Sequence, residues 1–157
     1  MGLPLAKNKS WVSLLHKSIA GLDDQQQAAI MKPCGQGCAE DILLLCEKIL
    51  GRKVETIEDL IAGWNLRREQ RGLNGKWEFE QNSIRGIFKE CSCPLVSSGL
   101  IELHRTQCYC SQGMMEIVFS RVAGRPIEVE IKQTIGRGDK VCYFVVKLGQ
   151  DGACPLP

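Results

Sequence analysis

No stretch of this 157-residue sequence approaches eighteen consecutive apolar residues, so no segment is suited to cross a bilayer as a helix. The opening residues Met1-Gly2-Leu3-Pro4-Leu5-Ala6-Lys7 lack the long apolar core of a secretion signal. The expectation is a soluble, cytoplasmic protein with no membrane partner. An excess of one charge is missing too. Lys and Arg number 20 against 18 Asp and Glu, a net charge of +2, too near balance to act as an electrostatic footprint for nucleic acid. Internal repeats, low-complexity tracts and linkers rich in Pro, Gly or Ser are absent, which argues against solenoids, disorder and a division into separate domains. With 44% hydrophobic and 24% charged residues, the chain suits one globular domain that buries roughly two-thirds of its unfolded surface. We read it as a single domain over 1–157, with a mainly helical part at 1–75, a hairpin-helix-hairpin part at 76–148 and a tail at 149–157.

What the sequence has in quantity is cysteine. Nine in 157 residues is below the density of a disulfide scaffold, and an odd number cannot pair completely within one chain. In a reducing compartment, clustered thiols point to metal or redox chemistry rather than to structural disulfides.

The first half carries helical periodicity. Trp11, Leu14, Leu15 and Ile19 form a stripe that stops near Gly21, expected to cover the core, with a homodimer face as the alternative use of Trp11, Leu14 and Leu15. Asp23 or Asp24 can cap a short helix that Pro33 ends. Ile42, Leu45, Cys46 and Ile49 make a third apolar face, with Gly51 past its end. Thr56 caps a fourth helix bearing Ile57, Leu60, Ile61 and Trp64, closed by Arg67, Arg68 and Arg71, which read as a solvated helix end.

From Lys76 the period changes to two. A turn at Asn82-Ser83 would pair Trp77 with Phe88 and Glu80 with Arg85. A second hairpin around Gly136-Arg137-Gly138-Asp139 sets Ile131 opposite Phe144, Val129 opposite Val146, Ile127 opposite Leu148 and Glu128 opposite Lys147, a register consistent on both faces. Between the hairpins, Ser111 can cap a helix carrying Met115, Val118, Phe119 and Val122 up to Gly124. The order predicts an α+β fold, with N-terminal helices packed on an antiparallel sheet of about four strands made of two hairpins and an intervening helix.

Cys91, Cys93, Cys108, Cys110 and Cys142 lie in three separate segments that converge on one sheet end if the hairpins sit side by side. Three or four thiolates in tetrahedral array would hold zinc, and these five are the candidate metal ligands; the opposed reading is buried or reactive free thiols. Cys34 and Cys38, in Cys34-Gly35-Gln36-Gly37-Cys38, form a further candidate metal or thiol site on what reads as a glycine turn between helices. Cys108 and Cys110, just before a helix start, would feel the positive end of its dipole and have a lowered pKa; His104 is the nearest base for a thiol nucleophile. Cys46 reads as core packing and Cys154 as a tail thiol. Gly136-Arg137-Gly138 precedes a strand, so it is a hairpin turn and not a phosphate loop.

The run from Cys108-Tyr109-Cys110-Ser111-Gln112-Gly113 through Gly124-Arg125-Pro126-Ile127-Glu128-Val129 to Gly138-Asp139-Lys140-Val141-Cys142-Tyr143-Phe144 resembles the end of the 4-vinyl-reductase-like, hydrocarbon-binding domain. The resemblance covers about residues 85–148. Cysteine-containing relatives are labelled similar to a thiazoline carboxylic acid hydrolase. The resemblance implies a fold like that of trafficking-complex subunits that enclose acyl chains, and a ligand pocket, in some members with zinc. By it, Cys142 matches the last cysteine of the family's metal motif, while Thr134 stands where an earlier cysteine ligand often lies. Cys108 or Cys110 would then supply the missing thiolate, and Glu116 or Glu128 a carboxylate. The expected function is a stand-alone module binding a small hydrophobic or aromatic molecule at a cysteine-rich, zinc-binding wall. The alternative is a thiol- or metal-dependent hydrolase of a small heterocycle, using Cys93, Cys108 or Cys110 with His104. A DNA-binding or ATPase effector would not fit beside such a domain in 157 residues.

Overall fold

The computed structural model describes residues 5–149. Its helices are α1 (Leu5–Ala20), α2 (Asp24–Met31), α3 (Gln36–Leu50), α4 (Ile57–Gln70), α5 (Pro94–Ser97) and α6 (Gln107–Ala123). The strands are β1 (Gly75–Glu80), β2 (Ser83–Phe88), β3 (Glu128–Gln133) and β4 (Cys142–Lys147), forming one antiparallel sheet in the order β1-β2-β4-β3. The two hairpins therefore lie side by side, joined through β2 and β4, and the α+β expectation holds.

Local signals set the helix ends. Asp23 and Gln26 form a reciprocal capping box at α2, with the Gln26 N–H donating to Asp23 Oδ1 at 2.8 Å. Thr56 Oγ1 accepts from the Asp59 N–H at 3.1 Å and starts α4. Gly51 and Gly124 close α3 and α6 in the left-handed region, at φ 68° and 66°. α4 and α6 pack on the sheet, and α3 packs on both of them. Leu60, Trp77, Ile84, Val118, Phe119, Val129 and Val146 are fully buried between them. Trp77 is central, its ring 5.3 Å from Trp64, 5.2 Å from Phe88 and 5.4 Å from Phe119 by centroid.

The β3–β4 register is the expected one: Val129 faces Val146, Ile131 faces Phe144, and Glu128 faces Lys147 with its carboxylate 2.8 Å from Nζ. A bulge follows between Ile131 and Gln133.

Several expectations are corrected. The first hairpin turns at Gln81-Asn82, so Trp77 faces Gly86 and Glu80 faces Ser83, two residues away from the expected register. Gly86 makes room for the indole, since a Cβ there would come within 2.6 Å of Trp77 Cε3. Ser111 does not start α6; the helix begins at Gln107, four residues earlier, because Cys108, Tyr109 and Cys110 are buried and tertiary packing outweighs the capping preference. Cys34-Gly35-Gln36-Gly37-Cys38 is not a loop. Lys32–Gly35 form a 3-10 turn, where Pro33 is tolerated at the start, and run directly into α3. On α1 the buried side is that of His16 and Ile19, while Trp11 and Leu14 are exposed, so the stripe containing them does not cover the core.

Candidate functional site

Between α1, α2, α3, α4, the segment 88–103 and the start of α6 lies a cavity of about 730 Å³. Volumes of about 300–1,000 Å³ are usual for small-molecule sites. Its wall is built from Val12, Leu15 and Ile19 of α1, Ile42 and Leu45 of α3, Trp64 of α4, Trp77 and Phe88 of the first hairpin, and Met114 and Met115 of α6. Leu15, Ile30, Leu95 and Leu100 line it too and are themselves exposed, giving the cavity an apolar rim.

All seven candidate cysteines reach this wall: Cys34 in the 3-10 turn before α3, Cys38 in the first turn of α3, Cys91 and Cys93 before α5, Cys108 and Cys110 in the first turns of α6, and Cys142 at the start of β4. The convergence expected of five of them is present, and the Cys34–Cys38 segment joins it. Cys46 is fully buried in the core instead, its Sγ 4.0 Å from the Leu60 carbonyl. Cys154 lies outside the described residues.

The thiols suit zinc by their chemistry, but their placement does not make a site. Among the described residues, no group of three or more His, Cys, Asp or Glu side chains is placed to hold a metal ion, and a zinc site needs at least three protein ligands. The carboxylates considered as further ligands are engaged elsewhere. Glu116 pairs with Lys32 at 2.8 Å and Glu128 with Lys147. Thr134 is fully buried with its hydroxyl beside the Cys108 thiol.

The electrostatics also reverse the expectation of an activated thiol. Burial pushes Cys110 up to about 12, with Cys38, Cys34 and Cys93 adding to it. Cys108 is raised by burial, which outweighs the opposing influence of the neighbouring Thr134 hydroxyl and the charge of Arg137. Cys38, Cys91 and Cys142 are raised by burial as well. The helix dipole acts only over the first turn, and desolvation wins. His104 does not serve a thiol. Its Nδ1 lies 3.3 Å from the Thr106 hydroxyl and accepts from the Thr106 N–H at 3.4 Å, and its ring stands edge-on to His16 with centroids 5.7 Å apart. The Cys–His couple is thus not formed.

A residue that sequence reasoning missed is Arg68. It is 4% exposed, not solvated, and lines the cavity with Arg67 and Arg71. Its Nε donates to the Gly75 carbonyl at 3.1 Å and its Nη2 to the Asn74 carbonyl at 2.8 Å, fastening the start of β1, while the guanidinium carbon lies 4.0 Å from the Phe88 ring centroid. The signal was in the spacing. Arg68 follows Trp64 by four and Ile61 by seven, on the apolar face of α4.

A family model matches residues 4–151. The chain belongs to DUF6144, a family of unknown function. No curated protein matches it in sequence. Its fold is similar to that of a trafficking protein particle complex subunit 3 from Naegleria fowleri, a structure covalently bound to palmitic acid. The two share 14% identity over 93% of this chain and 95% of the subunit, with a TM-score of 0.53. It is also similar to the phenol-responsive sensory domain of the transcription activator PoxR with phenol, at 12% identity over 94% of this chain and 75% of that domain, with a TM-score of 0.50. At these identities the likeness is one of fold alone. Among the described residues, no helix is long and apolar enough to cross a membrane.

Proposed function

We propose that this DUF6144 chain is a small-molecule-binding module that holds an apolar or aromatic ligand without a covalent bond. The observation that carries the reading is the cavity of about 730 Å³, apolar on wall and rim, set between the helices and one end of the sheet. Burial of apolar ligand surface there supplies affinity of about 25 cal/mol per Å² before the costs of association are deducted. Ligands of this character occur in two proteins of similar fold, palmitic acid in one and phenol in the other. The resemblance of residues 85–148 to the hydrocarbon-binding 4-vinyl-reductase-like domain supports the same ligand class. The thiols act as soft, neutral wall groups in this reading, because burial holds Cys108 and Cys110 away from the thiolate form that a nucleophile needs.

Native mass spectrometry of gently purified protein, together with displacement of an apolar fluorescent dye, tests the proposal. A bound small molecule, or saturable dye binding lost in Leu45→Trp, is expected, because an indole at that wall position fills the space. Dye binding unchanged in a folded Leu45→Trp protein would place the ligand elsewhere and refute the reading.

A further inference from the structure

The cavity has a basic side. Arg67, Arg68 and Arg71 of α4 line it with Glu90 and Cys142 nearby, while Asp41 lines it beside Cys38 and burial keeps Cys108 and Cys110 neutral. Two of the three nitrogens of the Arg68 guanidinium are committed to the Asn74 and Gly75 carbonyls, and its Nη1 has no acceptor among the described residues. No ion pair joins a described carboxylate to any of the three arginines. Glu90, the nearest acid, spends both oxygens on Asn74: one accepts its N–H at 3.0 Å and the other its side-chain amide. A guanidinium that is 4% exposed is ordinarily paired, since an unpaired charge in a low-dielectric site is costly.

We propose that the ligand is an amphiphile with a carboxylate head, its apolar body along the cavity and its carboxylate on Arg68 Nη1 with Arg67 and Arg71 beside it. This rests on reading the cavity as a ligand site and names the chemical class that the site selects. The carboxylate would accept from the free Arg68 nitrogen and add a direct contact to the counter-charge that Glu90 supplies without one, as charge-assisted bonds between guanidinium and carboxylate do. The Phe88 ring stacked under the guanidinium at 4.0 Å holds that donor plane in place.

Calorimetric titration of the full chain with decanoate and with 1-decanol separates the two readings. Burial alone would favour the alcohol, whose head is cheaper to desolvate. We expect decanoate to bind about tenfold more tightly or better, as a charge-assisted pair at a largely buried guanidinium implies. Arg68→Gln should abolish that preference while decanol still binds. Arg67→Gln combined with Arg71→Gln leaves the backbone bonds of Arg68 intact and should reduce the preference several-fold, which keeps the test decisive if Arg68→Gln does not fold. Equal affinities in the wild type, or a preference untouched in the double variant, would overturn the carboxylate assignment and leave the apolar cavity standing. Failure of both ligands to bind would overturn the cavity reading and the assignment with it.

Discussion

Gly35 sits against the main chain of Cys110: a Cβ built on Gly35 would lie 2.5 Å from the Cys110 carbonyl oxygen. The approach is reciprocal along the two segments, since a Cβ on Gly113 would meet the Lys32 Cα at 2.6 Å. Two missing side chains thus let the 3-10 turn before α3 touch α6 backbone to backbone. That contact brings Cys34 and Cys38 to the same wall as Cys108 and Cys110.

Gly35→Ala and Gly37→Ala should therefore have opposite signs. Both glycines have helical surroundings, where alanine is intrinsically better by about 1 kcal/mol. A Cβ at Gly37 meets nothing, so Gly37→Ala should stabilise by about 0.5 kcal/mol, less than the full amount because the site is in the first turn. Gly35→Ala drives a methyl into backbone that cannot move aside and should cost about 3 kcal/mol. Urea denaturation of the two variants measures both. Stabilisation by Gly35→Ala would mean that the close approach to α6 is not made.

The second hairpin was legible because its two faces agree: Val129 with Val146 and Ile131 with Phe144 inside, Glu128 with Lys147 outside. The first hairpin was not. Pairing large apolar residues directly set Trp77 opposite Phe88, whereas the fold sets Trp77 opposite Gly86 and lets the two rings meet diagonally, edge to face. A pattern of residue types does not encode that the space above a glycine is filled from the neighbouring strand. The gathering of the thiols could be read from topology alone. Their protonation could not, because it follows from burial, which placed Cys108 and Cys110 inside α6 rather than ahead of it. Arg68 was hidden for another reason. Basic residues at a helix end ordinarily answer the dipole in solvent, and only the packed Phe88 and the carbonyls of residues 74 and 75 reveal its buried role.

Thiol labelling should follow burial. With its pKa at about 12, Cys110 at pH 8 has a thiolate fraction of about one in ten thousand, and alkylation requires the thiolate. Cys46, raised to about 11 and fully buried, should be protected as well. Iodoacetamide at pH 8 should modify exposed Cys34 first and reach Cys46 and Cys110 only after denaturation. Peptide mapping that found Cys110 among the fastest thiols would restore the nucleophile reading.

Chelation offers a direct check on the metal question. Structural zinc contributes binding energy to folding, so its removal lowers the melting temperature. Because the described side chains do not gather into a three-ligand group, EDTA should leave the melting temperature of the purified protein unchanged. Cys142→Ala should cost on the order of 1 kcal/mol, through the small cavity it leaves. Stoichiometric zinc by elemental analysis, lost together with stability in Cys142→Ala, would establish the cysteine site instead.

Acidification should loosen α1 before the rest of the fold. Among the described residues, α1 has no extensive backbone contact with another helix or strand; side chains hold it. Arg105 Nη2 donates to the Ala20 carbonyl at 2.6 Å, Ile19 packs with Met31, Tyr109 and Cys110, and His16 Nδ1 lies 3.4 Å from the Thr106 hydroxyl. Burial lowers the pKa of His16, with His104 adding to the effect; burial lowers that of His104, with Arg105 and Lys17 adding. The folded pKa values thus lie below the ordinary value of 6.5, and the unfolded or opened form takes up protons first. The contribution to stability is therefore present above that value and is lost as pH falls through it towards the folded values. Hydrogen exchange should show α1 opening more readily than α3, α4 and α6 at pH 7.5, with the difference widening at pH 5.5 after correction for intrinsic rates. His16→Gln, which keeps a hydrogen-bonding group but does not titrate, should reduce that pH dependence and leave the share of His104. Since α1 supplies Val12, Leu15 and Ile19 to the cavity, ligand should slow its exchange. Exchange in α1 as slow as in α6 at both pH values would show that this helix is no weaker than the core beneath it.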